Sequence, residues 1–281
     1  AIAGKRVILV HIRIDFMMYA MDAIVNWLSL WRFKSNNKSN VPLVIRTIVG
    51  RGWGQGPTHS QNLQAWFAHI PGLKVVMPSS ADDAKGLLLS SIFDPNPVLF
   101  LEHRWLHNSL AEVPSGDYRI TLGKANNIVK GKDITVVSMS YMTLEALISE
   151  KYLNKLGISI DLIDLRSIKP LDYQAIINSL RKTKRLLVLD TGVSTCSVAS
   201  EIISYIAINN NDLLEKPPSK ISMPDVPEPT SFGLTKNFYP RAADISYKIL
   251  EILEINGYNP YDDIPAPKPH DVPGDWFKGP F

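Results

Sequence analysis

Apolar and polar residues alternate along this chain in two styles. Short apolar runs rich in β-branched residues, bounded by glycine, proline or polar clusters, read as buried strands. Longer stretches with apolar residues three and four apart read as helices. In the first half the pattern predicts strand 5–12, a long helix 15–33, a polar loop 34–40, strand 41–49, a glycine loop, helix 60–69, strand 73–77, helix 80–92 and strand 97–102. The second half predicts strand 134–139, helix 141–157, strand 159–165, helix 171–182, strand 185–190, helix 195–209, strand 220–223 and helix 240–255. This alternation implies the α/β class, with two doubly wound, mainly parallel sheets. The stretch 105–131 reads as irregular and polar, with room for one extended piece. The expected division is a first domain over 1–118, a linker over 119–131, a second domain over 132–256 and a proline-rich tail over 257–281. By composition the tail is flexible. Its aromatics Trp276, Phe277 and Phe281 leave docking on a neighbouring subunit open.

Composition narrows the picture. With 281 residues, two domains are a fair expectation, and the hydrophobic fraction of 45% is ordinary for a soluble globular protein. A formal charge of +3 gives no argument for a nucleic-acid partner. The best apolar run, 16–31, is interrupted by Asp22 and Asn26, so no membrane span is expected. One cysteine, Cys196, excludes an intrachain disulfide framework and suits a reducing, cytoplasmic compartment. The opening Ala1-Ile2-Ala3-Gly4 reads as the last turn of a helix with a glycine cap. A short ordered stub explains it; so does an upstream segment that is missing or carried by another chain.

Candidate chemistry gathers where the second strand ends. Glycines at 50, 52, 54 and 56 follow it, and Thr58 with Gln61 three places on fits a capping box, which puts His59 in the first turn of a helix. Open α/β sheets bind ligands beyond the carboxyl ends of their strands. The glycine loop has neither the lysine of a P-loop nor the spacing of a dinucleotide fingerprint, so ligand binding and a tight turn both stay open. A helix-start dipole would favour neutral His59, able to orient or protonate an anionic group, or merely to cap the helix. The segment 15–33 is apolar almost all round, from Phe16 and Met17 to Trp27 and Trp31, so a core helix and an interface helix are both consistent with it. Phe16, just past the first strand, can form an aromatic pocket wall. Ser91-Ile92-Phe93-Asp94-Pro95-Asn96-Pro97 is ordinary turn chemistry, or a monovalent-cation site of carbonyls plus Asp94 and Asn96. The basic run 181–185 complements a helix end. His69, His103, His107 and His270 show no metal spacing with Cys196 or one another, and His103 with Arg104 can line a cleft or face solvent. There is no G-D-G followed by asparagine and no G-x-S-x-G, and no carboxylate stands out at the head of the first domain.

These residues resemble a known family. GQGPTHSQNLQAWFAHIPGLKVVMPSSADDAKGLL, DPNPVLFLEH, IDLRSIKPLD and MPDVPEPTS are similar to the β subunit of thiamine-diphosphate-dependent 2-oxo acid dehydrogenases, of the pyruvate dehydrogenase type, in register from Ala1 to about Leu253. HIRIDF and GRGWGQGP resemble most a bacterial branch of uncertain substrate. The resemblance implies a transketolase-like pyrimidine-binding domain followed by a transketolase C-terminal domain. It implies an α subunit that brings the G-D-G motif, the diphosphate and Mg, an α2β2 heterotetramer with a second copy of this chain, and an oxidoreductase that decarboxylates a 2-oxo acid and passes the acyl group to a lipoyl acyltransferase or another acceptor. It assigns Phe16 to the aminopyrimidine ring, His59 to catalysis, and Leu43, Ser91, Ile92, Asp94 and Asn96 to a potassium ion. Two departures stand out. The sequence starts after the family's activating glutamate, and Thr191-Gly192-Val193-Ser194-Thr195-Cys196 carries less glycine than relatives do. Half of a split transketolase-like transferase, or a non-catalytic structural subunit, are the alternatives.

Overall fold

The computed structural model describes residues 1–52 and 55–279. Two five-stranded sheets form. The first has the order β1 (Val7–His11), β2 (Leu43–Val49), β4 (Val98–His103), β3 (Lys74–Val76), β8 (Ser167–Lys169). The second runs β10 (Ser219–Met223), β9 (Leu186–Val193), β6 (Ile134–Ser138), β7 (Ile160–Asp164), β5 (Asn126–Val129). All neighbours are parallel except β8 on β3 and β5 on β7. The central strands are the apolar runs the sequence marks: Val98–Leu101 and all of β6 and β7 are buried, as strands covered on both faces must be. The expected α/β class with mainly parallel sheets is what the chain forms.

Five helices follow the expected pattern closely: α3 (Ala81–Phe93), α4 (Tyr141–Lys155), α5 (Tyr173–Thr183), α6 (Val198–Asn209) and α7 (Ala242–Ile252), after the short α1 (Trp31–Lys34) and α2 (Gln64–His69). Their starts are chemical. Ser80 accepts from Asp83 N at 3.4 Å, Asp172 from Ala175 N at 3.3 Å and Ser197 from Ser200 N at 3.1 Å. The basic run 181–185 does end α5, and its Lys184 and Arg185 face Glu215.

Two features depart from the pattern. The helix over 15–33 is broken into a 3-10 stretch (Ile14–Ala20), a π turn (Ala23–Leu28) and α1. Gly72 explains part of this: a Cβ on it would sit 2.0 Å from Ser29 O, so the chain presses on the helix there, and Ser29 N bonds five residues back to Ile24 O. Nor is that segment a core helix, since Ile14, Met17 and Ile24 are buried while Phe16, Tyr19, Trp27 and Phe33 are exposed. The stretch 105–131 holds one extended piece, as its sequence leaves room for: β5, the edge of the second sheet. β8, unforeseen because three residues between turns carry no period, crosses from the second half to pair with β3, and Arg166 O accepts from Met77 N at 2.8 Å. One apolar core therefore runs under both sheets, from Phe67, Met77 and Leu101 to Met139, Ile168 and Ile202.

The tail is not loose. Val272 and Phe277 are buried against Tyr141, Tyr239 and Ile245 of their own chain. Arg241 donates to His270 O at 3.2 Å and Val272 O at 3.0 Å. Phe281, the third tail aromatic, lies outside the described residues, as does Gly54 of the glycine loop. No helix among the described residues is long and apolar enough to cross a membrane.

Candidate active site

β1 ends at His11, and the next residues turn back across the carboxyl ends of the first sheet. Arg13 is buried there. Its Nη1 donates to Gly50 O at 2.8 Å and its Nη2 to Gln55 Oε1 at 2.7 Å, which ties the end of β1 to the glycine loop after β2. Gly50 has φ 78°, and a Cβ on it would meet His103 Nε2 at 2.3 Å, so glycine lets the loop lie against the end of β4. Three strand ends thus meet at one place, where parallel sheets bind ligands.

Asp15, Phe16 and His59 come together there. His59 Nδ1 is 2.9 Å from Asp15 Oδ2. A carboxylate can only accept, so the neutral imidazole carries its proton on Nδ1 and presents Nε2 as an acceptor. The Phe16 and His59 rings stack, centroids 5.2 Å apart and 27° between planes. The side chain of Asp15 is 9% exposed and that of His59 33%. Asp15 Oδ1 is buried with no hydrogen-bond partner, an acceptor waiting for a donor.

The structure corrects how His59 is held. Thr58–Ser60 is a single 3-10 turn, and α2 starts only at Gln64. The Gln61 side chain donates to Thr58 O at 3.0 Å, so the capping box does not form. The dipole argument for His59 falls with it; Asp15 fixes the ring instead. The expectation that no carboxylate marks the head of the first domain is also wrong. The signal was present in Arg13-Ile14-Asp15-Phe16, where a carboxylate directly precedes the pocket aromatic at a strand's carboxyl end.

A second polar group borders the loop. Asn62 Nδ2 donates to Glu228 Oε2 at 3.1 Å, and burial pushes the Glu228 carboxyl up to about 8. Arg51, beside Gly50, is 3% exposed. It donates to Thr230 O at 3.1 Å and to Asp271 O and Oδ2 at 3.2 and 2.7 Å, so the tail holds the glycine loop. His103 belongs to the core: burial brings it down to about 3, its Nδ1 accepts from Trp105 N at 3.2 Å, and it stacks on Tyr141.

The residues expected around potassium lie at the corner between α3 and β4. Leu43 begins β2, next to Val44, which pairs with Val98 at the start of β4. Their oxygens, however, face protein cations. Arg6 Nη1 donates to Ile92 O at 2.7 Å and Asp94 O at 3.3 Å. The Asp94 carboxylate takes Lys74, and Arg32 Nη1 donates to Asn96 Oδ1 at 3.0 Å. Ser91 Oγ donates to Leu87 O at 2.7 Å. At this corner Arg6 thus occupies carbonyls that the expectation gave to potassium. Among the described residues, no group of three or more His, Cys, Asp or Glu side chains could hold a metal.

Phe16 is 46% exposed, and the apolar surface runs on through Ile8, Val10, Ile12 (73%) and Tyr19 (98%). β1 is an edge strand of a mainly parallel sheet whose Ile8, Leu9 and Val10 are exposed, an unusual state for such a strand. Two clefts of about 640 and 760 Å³ open elsewhere, and neither is lined by Phe16 or His59. With Phe16 46% exposed and the His59 side chain 33%, this face is an open wall.

Comparison with known proteins locates this arrangement. Residues 1–108 match the transketolase pyrimidine binding domain and residues 123–245 the transketolase C-terminal domain. The acetoin:2,6-dichlorophenolindophenol oxidoreductase subunit beta of Cupriavidus necator is 38% identical over 246 residues, 88% of this chain and 73% of that protein. The mitochondrial pyruvate dehydrogenase E1 component subunit beta-1 of Oryza sativa subsp. japonica is 39% identical over 249 residues, 87% of this chain and 67% of that protein. A solved split-gene transketolase, in an inactive beta4 tetramer, superposes with a TM-score of 0.72 at 21% identity over 91% of this chain and 78% of that one, a likeness of fold.

Proposed function

Since this chain belongs to the family of transketolase-like β subunits that includes the pyruvate dehydrogenase E1 and acetoin oxidoreductase β chains, we propose that it is the β half of a thiamine-diphosphate-dependent 2-oxo acid dehydrogenase. The observation that carries this reading is the open Asp15–Phe16–His59 wall on an uncovered apolar face. A flat heterocycle bearing an amino group fits what is offered there: the free part of the Phe16 ring for stacking and the unspent Asp15 Oδ1 as acceptor. Thiamine diphosphate, when bound, supplies the carbanion that attacks the 2-oxo carbon and holds the electrons released with CO2.

This chain's residues do the rest from one side. Phe16 bears on the ring. Asp15 keeps the His59 proton on Nδ1, so Nε2 faces the site as an acceptor able to take or return a proton or to steady the substrate carboxylate once protonated. Arg13 and Arg51 hold the glycine loop shut against β4. The diphosphate and its Mg belong to a partner α chain seated on the β1 and Tyr19 face, with an α2β2 assembly and a lipoyl carrier or another acceptor downstream. No monovalent cation has a part, given Arg6. Cys196, free and exposed, suits a reducing compartment such as the cytoplasm.

Reconstitution tests the reading. The chain, co-produced with a G-D-G-bearing α chain, is assayed for 2-oxo acid decarboxylation with dichlorophenolindophenol as electron acceptor. Turnover that needs both chains and thiamine diphosphate is expected. Full turnover by this chain alone, or reaction only with aldose acceptors, would refute it.

A further inference from the structure

We propose that Arg6 takes the place of a monovalent cation at the α3–β4 corner, so that this chain is held there by its own guanidinium and not by a bound ion. A potassium ion at such a corner works by drawing several backbone carbonyls onto one positive charge. Here a single nitrogen, Arg6 Nη1, does that to Ile92 O at 2.7 Å and Asp94 O at 3.3 Å. Other oxygens of the turn are also bonded within the protein. Asp94 Oδ2 is paired with Lys74, and Asp94 Oδ1 accepts from Asn96 N at 2.8 Å and Nδ2 at 3.2 Å. Asn96 Oδ1 accepts from Arg32 at 3.0 Å, and Ser91 O from Asp94 N at 3.3 Å.

Charge argues the same way. Three basic side chains, Arg6, Lys74 and Arg32, bond to the oxygens of this corner, and of its carboxylates only Asp94 is seen to pair with one of them, Lys74. A further cation would enter a field already positive. Packing keeps Arg6 in place: its guanidinium lies 5.3 Å from the Phe93 ring centroid, and Arg119 stacks on the same ring at 3.6 Å. Register places it, since Val7 pairs with Leu43 and Val7 N donates to Pro42 O at 3.2 Å. Arg6 thereby pins the edge strand β1, whose far end carries Asp15 and Phe16, to the opposite end of the sheet. This inference is independent of the reaction.

The test is thermal unfolding of the full chain in about 100 mM KCl and in choline chloride at the same ionic strength. The wild-type Tm should agree between the two salts to within about 1 °C, whereas an ion site filled a hundredfold above its Kd would raise Tm in KCl by roughly 5–11 °C. Arg6→Ala should lower Tm in choline by roughly 2–4 °C, the loss of one hydrogen-bonded cation, and potassium should then raise it again. A potassium-dependent wild-type Tm, or an Arg6→Ala chain as stable as wild type in choline, would overturn the proposal. A rubidium peak on Ile92 O in crystals of the wild-type chain soaked in RbCl would overturn it too, whatever the variant's solubility.

Discussion

Removing the Asp15 carboxylate should disable His59 without moving substrate affinity much. The Nδ1···Oδ2 bond is 2.9 Å long, its carboxylate is nearly buried, and among the described residues no other partner of His59 Nδ1 competes. A hydrogen bond to a charged group contributes about 1.5–3 kcal/mol, so its loss in Asp15→Ala corresponds to roughly a 10- to 150-fold fall in the population of correctly held imidazole. Asp15→Asn is gentler, because the amide oxygen can still accept from Nδ1–H; a neutral bond keeps about 1 kcal/mol and the fall should be roughly 10-fold. Both variants, at saturating thiamine diphosphate, should lower kcat and leave the KM for the 2-oxo acid within about threefold, since Asp15 acts on His59 and on the cofactor and not on the substrate. His59→Ala should cost roughly 100-fold or more. The assay is dye reduction by the reconstituted α and β chains with a saturating 2-oxo acid. A nitrogen-15 NMR spectrum of the imidazole provides the structural readout: Nδ1–H in the wild type, a growing Nε2–H fraction in the variants. Wild-type kcat in Asp15→Ala, or an unchanged tautomer, would refute the dyad.

Three other outcomes follow from named contacts. Asp271→Ala strips a buried arginine, Arg51, of its carboxylate, so Tm should fall by several degrees, about 1.5–3 kcal/mol, and protease cleavage near the glycine loop should rise; unchanged cleavage would show that the tail does not hold the loop. Asp164 is fully buried, and burial raises its carboxyl from 3.8 to about 7. Unfolded chain has lost that proton above 3.8 while folded chain keeps it, so stability falls as pH climbs from about 4 to about 7, with Glu228 extending the fall to about 8. The slope of Tm against pH should shrink in Asp164→Asn, and an identical slope would remove the assignment. Tyr19→Asp puts a charge on the uncovered face and should abolish co-purification with an α chain while leaving the Tm of the isolated chain nearly unchanged; retained co-purification would move the partner elsewhere.

Much of the fold was legible because it depends on period. The runs at 43–49, 98–101 and 134–138 are largely apolar and rich in β-branched residues, and α5 and α7 repeat their apolar positions as amphipathic helices do. What failed depends on tertiary contact. The segment 15–33 carries no proline or internal glycine, and only the approach of Gly72 to Ser29 and a missing cover on one side explain its 3-10 and π turns. Thr58 and Gln61 have the spacing of a capping box, yet Pro57 and the pull of Asp15 on His59 favour an isolated turn. Period and spacing mark Phe16 and His59 singly; the family resemblance alone put both at one site, and their stacking is a tertiary contact. Arg6 is plain in the sequence, but nothing local says that its guanidinium reaches Ile92 and Asp94 eighty-six and eighty-eight residues on. The tail's proline content suggested looseness; Arg51 and Arg241, both far upstream, supply the donors that dock it.

The sharpest measurement is calorimetric titration of thiamine diphosphate with Mg²⁺ into this chain, into its α partner, and into the two together. If half of the cofactor site resides on the Asp15–Phe16–His59 wall, saturable binding appears only in the mixture, one cofactor per α/β pair, and weakens when Phe16 is replaced by alanine. Tight binding by this chain alone, or binding to the mixture that is indifferent to Phe16, would contradict it.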